Sequence, residues 1–525
     1  MTTEDPLTAP GGSGSSVVPG ERPWWTDAVF YQIYPRSYAC AGSSQGVGDL
    51  RGIIDRLDHV VGLGVDAVWL SPVFCSPQVD HGYDVSDYYA IDPIFGTMAD
   101  FDELLQAAHD RGLRVLLDMV PNHTSDQHAW FTAAVAAGRG ARERDWYLFR
   151  DGRGADGAVP PTDVLGSFTQ TPVWTRVTEP DGTPGQWYFH LFTAEQPDLN
   201  WLNPAVLAAF EQIWRFWLDK GVDGFRVDVA DHLTKDVDRN DVRFGNDLLT
   251  HDADNRTHEV LRALRSTLRG YEHQPTAIGE IWSGGAAYSS DDEFPQTFGF
   301  PILKAGWDAP ALRAAIQEVL ADTEPVWVID NHDTPRSASR LGPARSRALT
   351  LLMLGLPGAA CLYQGQELGL PNVDDLPDEV LADPVWQRSG GTDRGRDGCR
   401  VPLPWSGSQP PFGFCDDEVE PWLPQPPQFA GFTVESQRRD PTSTLELTRR
   451  WLGVRKQLVG AGFQWRDEAP DRVHFQRPTD TGTIDVLMNL GDTSIALPPG
   501  RILAHSDPKP PDGWLPPDAA VWWEV

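Results

Sequence analysis

Short apolar runs alternate with longer stretches of helical periodicity along most of the chain. Residues 28–34 form an apolar run that a proline ends, and residues 50–63 carry apolar side chains at helical spacing before Gly64. This alternation continues to residue 363 and predicts a parallel sheet. The predicted strands are 28–34, 67–70, 114–120, 224–227, 276–279, 298–303, 326–329 and 360–363. Eight strands of this kind predict an α/β fold, a (β/α)8 TIM barrel.

Two long insertions and two terminal segments depart from this rhythm. Residues 124–196 follow the third strand and are too long for an ordinary loop, which predicts an inserted subdomain B. A Pro-rich insertion, 367–438, follows the eighth strand. The predicted organisation is a disordered tail at 1–23, a barrel at 24–123 and 197–458, the subdomain, and a C-terminal all-β domain at 459–525.

The composition narrows the classes of partner. Forty-three basic and 75 acidic residues give a net charge of -32, which argues against nucleic acid or an anionic membrane as partner. The N-terminus lacks the basic and apolar regions of a signal peptide, and no apolar run reaches membrane-spanning length. Five scattered Cys residues predict neither a zinc site nor a disulfide framework. We expect a cytoplasmic protein, monomer or homodimer, without a membrane partner.

Charged and polar residues follow four of the predicted strands. In a TIM barrel the carboxyl ends of the strands share one face, where active sites lie. Arg226 and Asp228 stand two residues apart, on one face of a strand, and taken alone they would be a structural ion pair. Several carboxylates at one barrel mouth point instead to an active site, because like charges raise one another's pKa. The residues concerned are Asp118, Asn122, His123, Arg226, Asp228, Glu280, Asn331, His332 and Asp333.

Five motifs in order resemble the α-amylase family of glycoside hydrolases (family 13), in its α-glucosidase and oligo-1,6-glucosidase branch. They are D-M-V-P-N-H (118–123), Q-P-D-L-N-W (196–201), G-F-R-V-D (224–228), G-E-I-W (279–282) and D-N-H-D (330–333). F-Y-Q-I-Y-P-R-S (30–37) and H-G-Y-D-V-S-D-Y (81–88) also fit. The resemblance covers residues 24–405, and the C-terminal region is matched only by its position and β character.

The resemblance implies roles for individual residues. Asp228 resembles the nucleophile, Glu280 the general acid/base and Asp333 the carboxylate that stabilises the transition state. Arg226 resembles the residue that keeps the nucleophile ionised. Further substrate-binding positions are implied at Tyr83, at the histidine pair His123 and His332, and at Asp84, whose partner is expected to be Arg396 or, as second choice, Arg400.

These roles predict an exo-acting, retaining α-glucosidase that acts on short maltose-type glucosides through a β-glucosyl–Asp228 intermediate. Such an enzyme needs two carboxyls about 5–5.5 Å apart, one ionised and one protonated. We expect Arg226 to lower the pKa of Asp228, and the apolar setting next to Ile281 and Trp282 to raise that of Glu280.

The linkage that is cleaved stays open at this point. In this branch Val after the nucleophile, here Val229, is associated with α-1,6 linkages, and Ala or Thr with α-1,4. The segments D-V-A (228–230), P-L-P-W (402–405) and P-P-F-G-F (410–414) resemble enzymes that act on maltose. We therefore expect α-1,4 activity, with an oligo-1,6-glucosidase, an α-glucosyl transferase and a sucrose isomerase as alternatives. Phe168 is a candidate subsite aromatic, with a core position as an equal alternative.

The loop 39–50 departs from the branch. Many relatives carry an acidic calcium loop there, with oxygen ligands at alternate positions. Here Ala41, Ser43 and Gln45 occupy those positions and only Asp49 is acidic, so we expect no calcium, no other metal and no cofactor. A non-catalytic transporter subunit and a starch-degrading endo-amylase are disfavoured by the three retained carboxylates and the late insertion.

Overall fold

A computed structural model describes residues 22–42, 45–166, 170–248, 251–282, 284–289, 292–321 and 325–524. Eight parallel strands close into a barrel, which confirms the predicted fold class. Pairing between the first and the eighth strand completes the ring. The strands are β1 (Val29–Ile33), β2 (Ala67–Leu70), β3 (Arg114–Met119), β4 (Gly224–Val227), β5 (Thr276–Gly279), β6 (Gln296–Gly299), β7 (Val326–Trp327) and β8 (Ala359–Tyr363).

The register of the central strands positions the charged residues. Arg226 on β4 lies opposite Asp118 on β3 and opposite Ile278 on β5. The barrel strands are almost entirely buried on both faces, as expected for a parallel sheet covered by helices. A charged side chain within such a sheet therefore has to find its partners among neighbouring strands.

Helices cover the outside of the barrel. Their starts follow ordinary capping chemistry: Asp49 accepts a hydrogen bond from the backbone N–H of Gly52, and Thr97 and Asp100 form a reciprocal capping box. The main helices are Leu50–Leu63, Met98–His109, Pro204–Asp219, His251–Thr267, Ala309–Leu320, Pro343–Gly355 and Thr444–Arg455.

One predicted strand is wrong over half its length. The apolar run 298–303 contributes only its first two residues to β6, which begins earlier, at Gln296. Pro301 then opens a short helix, Pro301–Lys304. The preset φ of proline suits the first turn of a helix and its missing N–H cannot serve a strand, so the apolar run divides there.

The inserted segments build the walls above the barrel. Residues 124–196 contain the helix Ala129–Ala137 and a three-stranded sheet of Phe149–Arg150, Pro184–Phe189 and Trp174–Thr178, in that order. Their buried cluster also takes in Val237 and Leu248 from the loop after β4. The late insertion carries the helices Pro384–Arg388, Asp397–Arg400 and Val434–Arg438.

The C-terminal part is all-β, as expected. Its five-stranded antiparallel sheet has the order Gln464–Trp465, Arg472–Thr479, Gly482–Asn489, Ala519–Glu524, Arg501–His505. The boundaries given for the four segments remain predictions, and most of the predicted tail, together with Phe168, lies outside the described residues. Within the described part of the chain, no helix is both long and apolar enough to cross a membrane.

Candidate active site

A cavity of about 650 Å³ lies at the carboxyl ends of the barrel strands. This volume is within the usual range for small-molecule sites. The inserted subdomain, the loop after β4 and the late insertion contribute the rest of its wall. The cavity brings together eight residues predicted from the sequence, namely Tyr83, His123, Asp228, Val229, Glu280, His332, Asp333 and Arg396.

Arg226 ties three carboxyl groups together beside this cavity. Its Nη1 lies 2.8 Å from Asp118 Oδ1 and 2.8 Å from Asp228 Oδ1, while its Nη2 lies 2.8 Å from Glu280 Oε2. The three carboxyls come from β3 and from the ends of β4 and β5, and all are buried. One guanidinium thus fixes Asp228 and Glu280 side by side. We refer to Arg226, Asp118, Asp228 and Glu280 as the Arg226 cluster.

The carboxyl of Glu280 is further oriented by two hydrogen bonds. The backbone N–H of Val229 donates to Oε2 at 3.1 Å, and Trp282 Nε1 donates to Oε1 at 3.1 Å. Val229 has φ of 45°, a left-handed conformation that is rare for a β-branched residue. Strain of this kind collects where function fixes the backbone, and here it directs the N–H of Val229 towards Glu280.

A second arginine from the late insertion forms a bridge across another part of the cavity. Arg396 lies 2.7 Å from Asp80, 3.0 Å from Asp333 and 2.6 Å from Asp383. Arg400, the second choice of the sequence analysis, is fully buried behind it and lies 3.1 Å from Asp333. We refer to Arg396, Arg400 and their three carboxylates as the Arg396 bridge.

The prediction that Asp84 pairs with Arg396 is wrong. Asp84 is buried below the cavity, where its two carboxyl oxygens accept the backbone N–H groups of Val79 and Asp80 at 2.9 Å each. Burial raises its pKa to about 6. Asp84 therefore closes the turn that lifts Asp80 to the cavity wall, and Asp80 occupies the place expected for Asp84.

Proton affinity in the Arg226 cluster also differs from expectation. Burial raises the pKa of Asp228 well above its usual range; Arg226 opposes this shift, and the charges of Glu280 and Asp118 add to it. Burial likewise raises the pKa of Asp118 to about 7. Arg226 lowers the pKa of Asp228, as predicted, but burial outweighs this effect, so the net shift is upward and not downward.

Asp333, in the Arg396 bridge, shows the opposite behaviour. Burial would raise its pKa, but the ring of His332 and the guanidiniums of Arg396 and Arg400 hold it well below its usual range. Asp383 is affected in the same way: its pKa is lowered by Arg396 and Arg400 against the effect of burial. Both carboxyls are therefore ionised at neutral pH.

The two histidines are held by neighbours in defined orientations. Gln32 Nε2 lies 2.8 Å from Nδ1 of His332, and the Tyr83 hydroxyl lies 2.6 Å from its Nε2. The same hydroxyl donates to Asp118 at 3.0 Å, so Tyr83 connects His332 with the Arg226 cluster. His123 lies 3.0 Å from the side-chain amide of Asn122 and 3.1 Å from the carbonyl of Tyr83.

Several residues of the site escaped the sequence analysis. Asp80 stands four residues before Asp84 and directly before the motif 81–88, which does not include it. Asp383 lies in the late insertion, where no motif marked it. The cavity wall also includes residues of the loop after β4, of the segment after β5 and of the helix Pro384–Arg388; among them are Asp231, His232, Asp247, Tyr288 and Arg388.

Comparison with known proteins places this geometry in a family. Residues 32–460 match the model for the α-amylase catalytic domain, and residues 461–522 match a domain of unknown function, DUF3459. The chain is 37% identical over 518 residues to a probable α-glucosidase of Rhizobium meliloti, covering 91% of each chain. It is 34% identical to a trehalose-6-phosphate hydrolase of Escherichia coli, covering 95% of this chain and 98% of the relative.

A solved structure gives the same result. The fold superposes on that of an α-glucosyl transfer enzyme, XgtA, with a TM-score of 0.85 and 35% sequence identity, covering 96% of this chain and 100% of the other. The first family match spans most of the barrel and its insertions. The chain therefore belongs to the α-amylase family of glycoside hydrolases, and its relatives include α-glucosidases and glucosyl-transferring enzymes.

Proposed function

We propose that this member of the α-amylase family is an exo-acting, retaining α-glucosidase that releases α-glucose from the non-reducing end of short maltose-type glucosides. The observation that carries the proposal is the pairing of Asp228 and Glu280 through one guanidinium. Two carboxyls bound to the two ends of a single guanidinium fit the close separation, about 5–5.5 Å, that retaining glycosidases need.

The reaction proceeds as a double displacement. Asp228 Oδ attacks the anomeric carbon as Glu280 protonates the glycosidic oxygen, so that the aglycone leaves and a β-glucosyl ester forms. Glu280 then removes a proton from water, the water oxygen attacks the anomeric carbon, and the ester bond to Asp228 breaks. Asp333, kept ionised by the Arg396 bridge, stabilises the positive charge that the sugar ring develops.

The Arg396 bridge supports attack at a chain end. Arg396 connects the segment after β2, the end of β7 and the late insertion through ion pairs of 2.6 to 3.0 Å. Such a bridge closes one end of the cavity to a continuing glucan chain and offers Asp80 and Arg396 to the hydroxyls of a terminal glucose. His123, His332 and Tyr83 line the same part of the cavity.

The anomeric form of the first product tests this mechanism. Proton NMR of fresh hydrolysate of an α-glucoside is expected to show α-glucose before mutarotation, and Asp228→Asn is expected to lose nearly all turnover. Initial release of β-glucose, or near-normal turnover of Asp228→Asn, would overturn the proposal. Rates on maltose, isomaltose, sucrose and trehalose measured side by side then define the substrate range.

Glucosyl transfer is a second candidate, favoured by the 35% identity to XgtA, an α-glucosyl transfer enzyme, across nearly the whole chain. Transfer uses the same covalent intermediate, with a sugar hydroxyl in place of water. Product analysis at high maltose separates the two activities: accumulation of trisaccharides indicates transfer, whereas stoichiometric glucose indicates hydrolysis.

A further inference from the structure

The charges that line the cavity are strongly one-sided. Six carboxyl groups face it, whereas the guanidiniums on its wall are those of Arg388 and Arg396. Each guanidinium already has a carboxylate partner: Arg388 lies 2.6 Å from Glu195, and Arg396 lies 2.7 Å from Asp80. The six carboxyls belong to Asp80, Asp228, Asp231, Asp247, Glu280 and Asp333.

Two of these carboxylates, Asp231 and Asp247, belong to the loop after β4 and take no part in the proposed chemistry. Asp231 is on the short turn Ala230–His232, which follows Val229, the residue whose N–H binds Glu280. Asp247 is on the turn Gly245–Leu248 in the same loop. Because Glu280 protonates the departing oxygen, groups on its side face the aglycone.

Neighbouring groups indicate that this position is built to receive a polar ring. His232 Nδ1 lies 2.7 Å from Asp231 Oδ1, and its buried Nε2 has no hydrogen-bond partner in the described structure. The residue His232 lines the cavity together with Asp231. Trp282 forms a wall beside Glu280 and is fixed by stacking on Phe300, with 4.1 Å between ring centroids and 5° between planes.

We propose that Asp231 and Asp247 give the aglycone position a negative potential that selects against aglycones bearing phosphate or carboxylate. The substrates of this site are then neutral α-glucosides and α-glucosides whose aglycone carries an ammonium group. This inference rests on the proposed α-glucosidase function. The Asp231 side chain is only 15% exposed, so its charge is screened less than a surface charge, whereas Asp247 is exposed. We expect the two charges together to lower the binding of an anion by roughly tenfold.

Aryl α-glucosides test the charge preference directly. Three probes carry a 4-methyl, a 4-carboxy or a 4-aminomethyl group, and kcat/KM is measured for wild type, Asp231→Asn, Asp247→Asn and the double variant. Leaving-group ability differs among the phenols, so each probe is compared between proteins as a ratio to the neutral probe. In the double variant the carboxy-to-methyl ratio is expected to rise about tenfold and the aminomethyl-to-methyl ratio to fall.

Asp238→Asn is the matched control, because Asp238 is an exposed carboxylate of the same loop that pairs with Arg150 and does not line the cavity. It is expected to leave both ratios near wild type. Raising the salt from about 20 to about 500 mM should narrow the wild-type preference, because the Debye length shortens severalfold.

The outcomes separate the inference from the function on which it rests. If wild type fails to hydrolyse the neutral probe, the α-glucosidase proposal fails. If it hydrolyses that probe but the ratios do not change in the Asp231 and Asp247 variants, the charge selection is overturned. An equal change in Asp238→Asn would also overturn it, since the effect would then belong to the net charge of the whole protein.

Discussion

The Arg226 cluster and the Arg396 bridge stand in one cavity and use the same chemical groups, yet they hold protons differently. In the cluster a single guanidinium serves three buried carboxyls. In the bridge two guanidiniums serve Asp80, Asp333 and Asp383. The pKa values of Asp118 and Asp228 are raised, mainly by burial, whereas those of Asp333 and Asp383 are lowered.

The difference shows that burial alone does not decide the protonation of a carboxyl group. Desolvation raises the pKa in both places, and the neighbouring groups determine which effect prevails: one guanidinium serves three carboxyls in the cluster, whereas His332 and two guanidiniums act on Asp333 in the bridge. A retaining glycosidase needs a proton at one carboxyl and a permanent charge at another. In the cluster, Arg226 opposes the protonation that burial favours at the nucleophile Asp228, and the bridge keeps Asp333 charged for the transition state.

Removing the cation of the cluster should have the largest effect. In Arg226→Met no positive charge opposes burial, so the pKa values of Asp118 and Asp228 rise further and the nucleophile becomes protonated at neutral pH. We expect kcat/KM at pH 7 to fall on the order of 10³-fold and the remaining activity to increase towards alkaline pH. The pH profile with a p-nitrophenyl α-glucoside measures both changes.

Arg455→Met is the matched control for this variant. Arg455 is equally buried but donates to the backbone carbonyls of Leu354 and Gly358, away from the cavity. Its loss should lower the unfolding free energy by a few kcal/mol and leave the shape of the pH profile unchanged. A normal pH profile in Arg226→Met would contradict the role given to Arg226.

The two regions should also give opposite pH dependences of stability. The pKa of Asp118 is raised in the folded protein, to about 7. The folded state then holds a proton that the unfolded chain releases near pH 4, so this group lowers stability as pH rises from about 4 to about 7. Asp118→Asn should remove that decline, which is on the order of a few kcal/mol. Urea unfolding at pH 4, 5, 6 and 7 measures it.

Asp383→Asn provides the contrasting measurement. The pKa of Asp383 is lowered in the folded protein, so this group supports stability above the unfolded value and loses that contribution as pH falls below about 4. Its replacement should flatten the acid limb and leave the range from pH 4 to 7 unchanged. The same pH dependence in both variants would show that the cluster and the bridge do not differ as described.

The sequence predicted the barrel well because strand and helix patterns are local. Several strands, among them Ala67–Leu70 and Gly224–Val227, coincide with their predicted ranges. The motifs also identified several of the residues that meet in the cavity, among them Asp228, Glu280 and Asp333. The pKa of Asp228 could not be predicted in this way, since it depends on the burial of the carboxyl and on Arg226 being shared with Asp118 and Glu280 across three strands.

The choice between Asp80 and Asp84 failed for a related reason. Both aspartates stand in one short segment, and only the turn between them determines which reaches the cavity. Motif spacing does not show that Asp84 is bound by the backbone N–H groups of that turn. The sequence therefore located the end of the cavity but not the side chain that closes it.

Asp80→Asn and Asp84→Asn test whether Asp80, and not Asp84, is the partner of Arg396 in the cavity. We expect a smaller effect on activity than for Arg226→Met. Loss of the Asp80 charge removes a partner of Arg396 and a charge-assisted acceptor for sugar hydroxyls. We expect kcat/KM for maltose to fall about 10- to 100-fold, mainly through KM. Asp84→Asn should change the midpoint of urea unfolding and leave KM close to wild type. A KM increase confined to Asp84→Asn would restore the original assignment.

Substitution of the Val229 side chain should give the smallest effect. It separates the role of the Val229 backbone, which binds Glu280, from that of the side chain. Its N–H orients Glu280, while its side chain faces the cavity. Val229→Thr and Val229→Ala keep the N–H and change only that side chain, so the pH profile should stay as in wild type. The ratio of kcat/KM for isomaltose to that for maltose should fall roughly 3- to 10-fold. An unchanged ratio in both variants would mean that linkage preference is set elsewhere in the aglycone wall. A shifted pH profile would mean that the side chain of Val229, and not only its backbone, holds Glu280 in place.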